Sequence, residues 1–131
     1  MRVVLDTNVI VAAFAARGLC AEVFEVCLTG QRLVLSGYIL SEVAEKLIDK
    51  ISLLQNIVQE IIDFLKEQAE IVSPKKLDES ICRDKKDIPI IGTALSGKAR
   101  FVITGDEDLL ILKKHKDVDI ITPRDFWSRL K

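Results

Sequence analysis

Val3-Val4-Leu5-Asp6-Thr7-Asn8 is an apolar run closed by an acid and a polar turn, and related figures recur along the chain. Leu33-Val34-Leu35 runs into Ser36, and Ile71-Val72 into Ser73. Phe101-Val102-Ile103 runs into Thr104, and Ile120-Ile121 into Thr122. The runs are continuous rather than alternating, which marks strands buried on both faces. Segments with helical spacing lie between them. Helices are expected over residues 8–16, 21–28 and 38–49. A fourth carries Ile57, Val58, Ile61, Ile62 and Leu65 as one stripe. A fifth begins after Asp87 and stops near Gly97, a residue suited to a helix end. The last has Thr122 as cap, Pro123 in the first position and Asp125 in the first turn. Strands alternating with helices predict an α/β fold, a three-layer α/β/α arrangement around a central parallel sheet of about five strands. Residues 73–86 are polar, contain Pro74 and read as a loop of the same domain.

The 131 residues fit one domain, residues 1–131, long enough to bury a core without disulfide or metal staples. Hydrophobic residues make up 49% and aromatics only 5%, so that core is aliphatic. The opening stretch reaches Asp6 after three apolar residues, too few for a signal-peptide core. No apolar run has the length of a membrane span. Three cysteines, an odd number without zinc-site spacing, read as reduced core thiols of a cytoplasmic protein. The net charge of −1 gives no whole-molecule signal for nucleic acid. The distribution is less even. Lys75, Lys76, Arg83, Lys85 and Lys86 form one basic stretch, and Lys113, Lys114 and Lys116 another. Each reads either as a solvated loop or as a phosphate-binding surface.

The acids are placed more pointedly. In open parallel sheets ligands bind beyond the carboxyl ends of the strands. Asp6 ends the first run, and Asp106 follows the fourth by way of Thr104 and Gly105. Asp87 starts the fifth helix and shares a face with Ile91 and Leu95, so it leans toward the core. Each has an ordinary reading as a helix cap or turn residue. Capping, however, does not require several acids on one edge, where they repel and raise one another's pKa. A divalent cation removes that conflict, and oxygen-only ligands suit Mg²⁺ or Mn²⁺. Glu42 flanks the stripe of Ile39, Val43 and Leu47; periodicity prefers it to Glu45 for an inward role but does not bring it to the site.

These residues, taken in order, resemble the PIN-domain family of metal-dependent ribonucleases. The likeness runs through Val3-Val4-Leu5-Asp6-Thr7-Asn8, Ser36 followed by Glu42, and Cys82-Arg83-Asp84 leading to Asp87. It continues with Ile91-Gly92-Thr93-Ala94 and Val102-Ile103-Thr104-Gly105-Asp106-Glu107-Asp108-Leu109-Leu110. The chain looks most like the bacterial and archaeal branch regarded as toxins of toxin–antitoxin pairs. The resemblance implies a catalytic and metal-binding quartet of Asp6, Glu42, Asp87 and Asp106, with Asp108 as a further metal ligand. It implies support by hydrogen bonds from Asn8 and Thr104, and a sheet in which the first and fourth strands are neighbours. It also implies an RNA substrate, a cognate antitoxin and a homodimer. A basic rim of Arg17, Lys85, Lys86 and Arg124 is assigned to the RNA backbone. Two departures stand out: Gly92 replaces the more usual alanine, at a helix cost of about 1 kcal/mol, and Asp84 is an extra acid without a role. The alternative is a catalytically inactive module of the same shape that binds RNA or protein. A phosphohydrolase with an aspartate nucleophile is disfavoured, since its second aspartate would stand where Asn8 does. A response-regulator pocket is disfavoured because the internal strands end in Ser36 and Ser73.

Overall fold

The computed structural model describes residues 1–130, and six strands among them form one sheet flanked by helices. Strand β1 (Arg2–Leu5) leads through α1 (Thr7–Ala15) and α2 (Leu19–Gly30) to β2 (Arg32–Ser36). Helices α3 (Gly37–Asp49) and α4 (Gln55–Gln68) precede β3 (Glu70–Val72). A long connection then reaches α5 (Ile88–Ser96) and β4 (Phe101–Ile103). The chain closes with α6 (Glu107–Leu110), β5 (Lys114–His115), β6 (Val118–Ile121) and α7 (Pro123–Arg129). The spatial order is β3-β2-β1-β4-β6-β5. Every pairing is parallel except β5 on β6.

The five expected strands are present, and in all but the edge strand β3, where Ile71 is exposed and Val72 half-buried, their apolar runs are largely buried. Val3, Val4 and Leu5 have no exposed surface, and neither have Val102 and Ile103. Each such side chain contributes about 1.5–3 kcal/mol by burial. The pairing of Val4 with Val102 and Leu5 with Ile103 brings the ends of β1 and β4 level. The sixth strand was not expected. It is two residues of a lysine-rich segment, formed by a tight hairpin with Lys113 and Lys116 at positive φ (60° and 53°). So short and polar a strand leaves no periodic trace in the sequence.

Helix starts follow the sequence closely. Thr122 caps α7 by accepting the Asp125 N–H at 3.0 Å, and Ser36 caps α3. On α4 the expected stripe narrows to Val58, Ile62 and Leu65, while Ile57 is exposed and Ile61 half-buried. The connection of residues 73–87 holds two 3₁₀ turns, Glu79–Ile81 and Lys85–Asp87. At the end of α5 the chain turns with Lys98 at φ 54°, not with Gly97. Gly97 serves packing instead, since a Cβ there would collide with Val34. Gly92 is likewise no defect. A Cβ on it would collide with the backbone carbonyl of Lys75, whose N–H donates to the Gly92 carbonyl at 3.0 Å. The glycine lets the segment after β3 lie directly on α5.

Candidate metal centre

The carboxyl ends of β1 and β4 converge on Asp6. Its N–H donates to the Ile103 carbonyl at 3.0 Å, continuing the β1–β4 ladder past the last paired residue. Asp6 Oδ1 accepts the Thr7 N–H at 2.7 Å, which caps α1, and Oδ2 accepts the Thr104 hydroxyl at 2.7 Å. The Thr104 oxygen in turn accepts the Asp106 N–H at 2.9 Å. One buried hydroxyl therefore ties both strand ends together. Asp106 also caps the short α6 by accepting the Asp108 N–H at 2.9 Å. The capping readings of Asp6 and Asp106 are thus realised, and both residues also line one cleft.

Asp87 is different. It precedes α5 but accepts no capping hydrogen bond, and its Oδ2 is buried without a partner among the described residues. The 3₁₀ turn that delivers it is capped by Asp84, whose Oδ1 accepts the Lys86 N–H at 3.0 Å. Burial, then the charge and shared proton of Asp106, then the charges of Asp84 and Asp6, push the Asp87 carboxyl up to about 7. Burial also raises Asp6, against the opposing hydrogen bonds from Thr104 and Thr7.

Glu42 reaches the same place from α3. Its Oε1 accepts the Thr7 hydroxyl at 2.8 Å and its Oε2 the Tyr38 hydroxyl at 3.3 Å. Tyr38 Oη also lies 3.1 Å from the Lys86 carbonyl. Burial and the Glu42 charge push this phenol up to about 12, so it stays a donor. Asp6, Glu42, Asp84, Asp87 and Asp106, with Lys46 and Lys86, line one cleft of about 250 Å³. Oxygens of Asp84, Asp87 and Asp108 lie within 4.8 Å of one another, a second grouping that shares two acids with the first. In that second grouping Asp108 is already held by the Arg83 guanidinium at 2.5 and 3.0 Å. An all-oxygen donor set around an unpartnered buried carboxylate oxygen fits a hard divalent cation.

A family model described as PIN domain matches residues 2–108. The chain belongs to the PIN domain family. No curated protein matches it by sequence. Among solved structures it is similar to VapBC-1 from nontypeable Haemophilus influenzae, at 21% identity and a TM-score of 0.64, over 95% of this chain and 99% of that one. It is also similar to VapBC2 from Rickettsia felis bound to a DNA fragment from their promoter. That likeness has 14% identity and a TM-score of 0.62, over 93% of this chain and 98% of the other. At these identities the two structures attest the fold.

Within this PIN domain the residues singled out from sequence are not equally placed. Asp6, Glu42, Asp87 and Asp106 share the cleft. Asp108 lies outside that cleft, on an adjoining surface with Glu107 that shares Asn8 and Asp106 with it. Thr104 hydrogen-bonds Asp6, whereas Asn8 is exposed and its Oδ1 accepts from Lys46 Nζ at 2.9 Å. Lys86 lines the cleft, Lys85 lies 3.2 Å from Glu79, and Arg17 and Arg124 are exposed on other elements. Sequence reasoning missed Thr7, Tyr38 and Lys46, and gave Asp84 no role. One signal was available: Tyr38, Glu42 and Lys46 are spaced four apart and form a polar stripe along α3.

Proposed function

We propose that this PIN domain is a metal-dependent ribonuclease that hydrolyses RNA phosphodiesters, acting as the toxin of a toxin–antitoxin pair. The observation that carries the reading is the unpartnered, buried Asp87 Oδ2 in a cleft with four further carboxylates. Membership of a family whose members are generally nucleases supports it, as does the likeness to the two VapBC structures. Bound Mg²⁺ or Mn²⁺ supplies a water of lowered pKa and neutralises charge on the phosphate. Asp6, Glu42, Asp87 and Asp106 would hold the ion. Thr7 and Thr104 fix two of these acids by donating to them, so the ligands are oriented before the ion arrives. Tyr38 orients Glu42 from its other oxygen. Lys86 and Lys46 bring positive charge to the wall of the cleft, and the exposed Lys85, Arg17 and Arg124 are assigned to the RNA backbone as part of this reading.

The test is cleavage of single-stranded RNA with Mn²⁺, with chelator, and by Asp6→Asn. Cleavage is expected only in the first case; activity that survives both chelator and substitution refutes the assignment. The toxin reading adds a small antitoxin encoded alongside, a homodimer and a cytoplasmic setting. Co-expression with the neighbouring gene is expected to give a stable complex that suppresses cleavage. A monomer that its neighbour neither binds nor inhibits would refute this part alone.

A further inference from the structure

The Tyr38 ring has two sides to serve. Its hydroxyl has two acceptors in reach of its one proton, Glu42 at 3.3 Å and the Lys86 carbonyl at 3.1 Å, while the residue also lines a second cleft of about 420 Å³. Pro74, Leu77, Ile88 and Pro89 supply that cleft's apolar wall, and exposed Lys75, Lys76 and Lys85 stand around it with Glu79. Three lysines against one glutamate leave the surround positive. The volume is that of a small-ligand site. Its floor is fixed rather than loose. The Lys75 backbone lies on α5 at Gly92, where a Cβ would collide with the Lys75 carbonyl and press on Pro74.

We propose that this second cleft holds one unpaired nucleotide of the RNA strand whose adjoining phosphodiester enters the carboxylate cleft. The inference rests on the ribonuclease reading and names a subsite for its substrate. A base presents a flat apolar face, and Tyr38 with the two prolines offers a flat apolar wall on which bases of any sequence can stack. The phosphates beside that base need cations, and Lys75 and Lys76 are free of ion pairs among the described residues. The carboxylate cleft repels phosphate until its ion is bound, so the strand needs a hold next door. A base must leave its helix to enter, which selects single strands over duplex.

The experiment measures binding of a short fluorescent single-stranded oligoribonucleotide to the Asp6→Asn protein across a salt series. Adding Lys75→Ala and Lys76→Ala, both at exposed positions, is expected to weaken binding about tenfold and lower the salt slope by about 1.4, or 0.7 per lost phosphate contact. Gly92→Ala, which displaces the Lys75 backbone, is expected to weaken binding with less change in slope. Lys98→Ala with Lys116→Ala, beside the starts of β4 and β6, is expected to change neither quantity. In the cleaving protein the Lys75 and Lys76 variant is expected to raise KM and leave kcat near its original value. Unchanged affinity and slope in that variant, or an equal loss in the Lys98 and Lys116 control, overturns the proposal. A cleft that takes a peptide of a protein partner gives the first of these results. Failure of the ribonuclease reading shows separately, as absence of Mn²⁺-dependent cleavage by the unsubstituted chain.

Discussion

The end of β1 and the start of α5 each bury an aspartate in the same cleft, and the fold treats the two oppositely. Asp6 and Asp87 are equally inaccessible, at 5% and 6% exposure. Asp6 has a donor on each oxygen, from Thr7 and Thr104. Asp87 has one oxygen with no donor among the described residues, and Asp106 and Asp84 crowd it. Burial is common to both sites, so burial does not distinguish them. The difference lies in where the chain placed donors. Asp6 is a carboxylate held by the protein's own donors, and Asp87 is one whose second oxygen the protein leaves without a donor among the described residues.

The strongest way to break this contrast is Asp87→Asn. It is expected to lower Mn²⁺-dependent RNA cleavage by at least about a hundredfold, with the loss read as initial rate. Retained cleavage would remove Asp87 from the site altogether. Thermal melting then sharpens the contrast. Saturating Mn²⁺ is expected to raise the midpoint of the unsubstituted chain on the order of 5–10 °C. The rise should shrink sharply in Asp87→Asn, and an equal rise in both would mean that the ion binds elsewhere.

Without metal the same substitution is expected to have the opposite sign. The folded-state carboxyl of Asp87 titrates near 7, above its ordinary value of 3.8, so the folded chain holds a proton that the unfolded chain has lost. That contribution to stability is full below pH 3.8 and is lost as pH rises through about 7. In chelator, Asp87→Asn should therefore melt above the unsubstituted chain at pH 8, on the order of 5 °C. The gap should close toward pH 5, and a gap that widens on acidification would contradict the pairing pattern. On the Asp6 side, Thr104→Val removes the shared hydroxyl and leaves both Asp6 Oδ2 and the Asp106 N–H without it. A cost of about 1–3 kcal/mol is expected by chemical denaturation, together with slower cleavage. The smallest effect belongs to Arg83→Ala. Its pairing with Asp108 is exposed and screened by solvent, so the melting midpoint should barely move. A large loss would show that Asp108 belongs with the buried acids.

Much of this contrast was legible in the sequence, and the part that was not has physical reasons. Continuous apolar runs located five strands, four of them because burial on both faces leaves no alternation to confuse the reading, and the edge strand β3 although its Ile71 is exposed. Asp6 and Asp106 followed from those strands, since a residue that ends a parallel strand has a defined position at the sheet edge. Asp87 followed from its register with Ile91. Glu42 came mainly through likeness, although the stripe that it shares with Tyr38 and Lys46 was there to be read. What remained hidden were hydrogen bonds between distant segments. Thr7 reaching Glu42 and Tyr38 reaching the Lys86 carbonyl depend on how α1, α3 and the 3₁₀ turn sit together, and no local pattern records that. Asp84 was opaque for the same reason, because its function is to cap the turn that delivers Asp87. Gly92 was read as a cost because helix propensity is a local quantity, and the backbone lying against it is not.

The hydrogen bond from Thr104 to Asp6 joins residues 98 positions apart, and β1 finds its inner partner only in β4. On the ribosome this sets a delay. At about 5–20 residues per second, the first acid waits on the order of 10 s for the last to be synthesised. Late in that interval a nascent chain carries Asp6, Glu42 and Asp87 but still lacks β4, the strand beside which Asp6 sits. The cleft therefore closes only late in synthesis, and a polypeptide interrupted before β4 holds three of its acids without the strand that completes it.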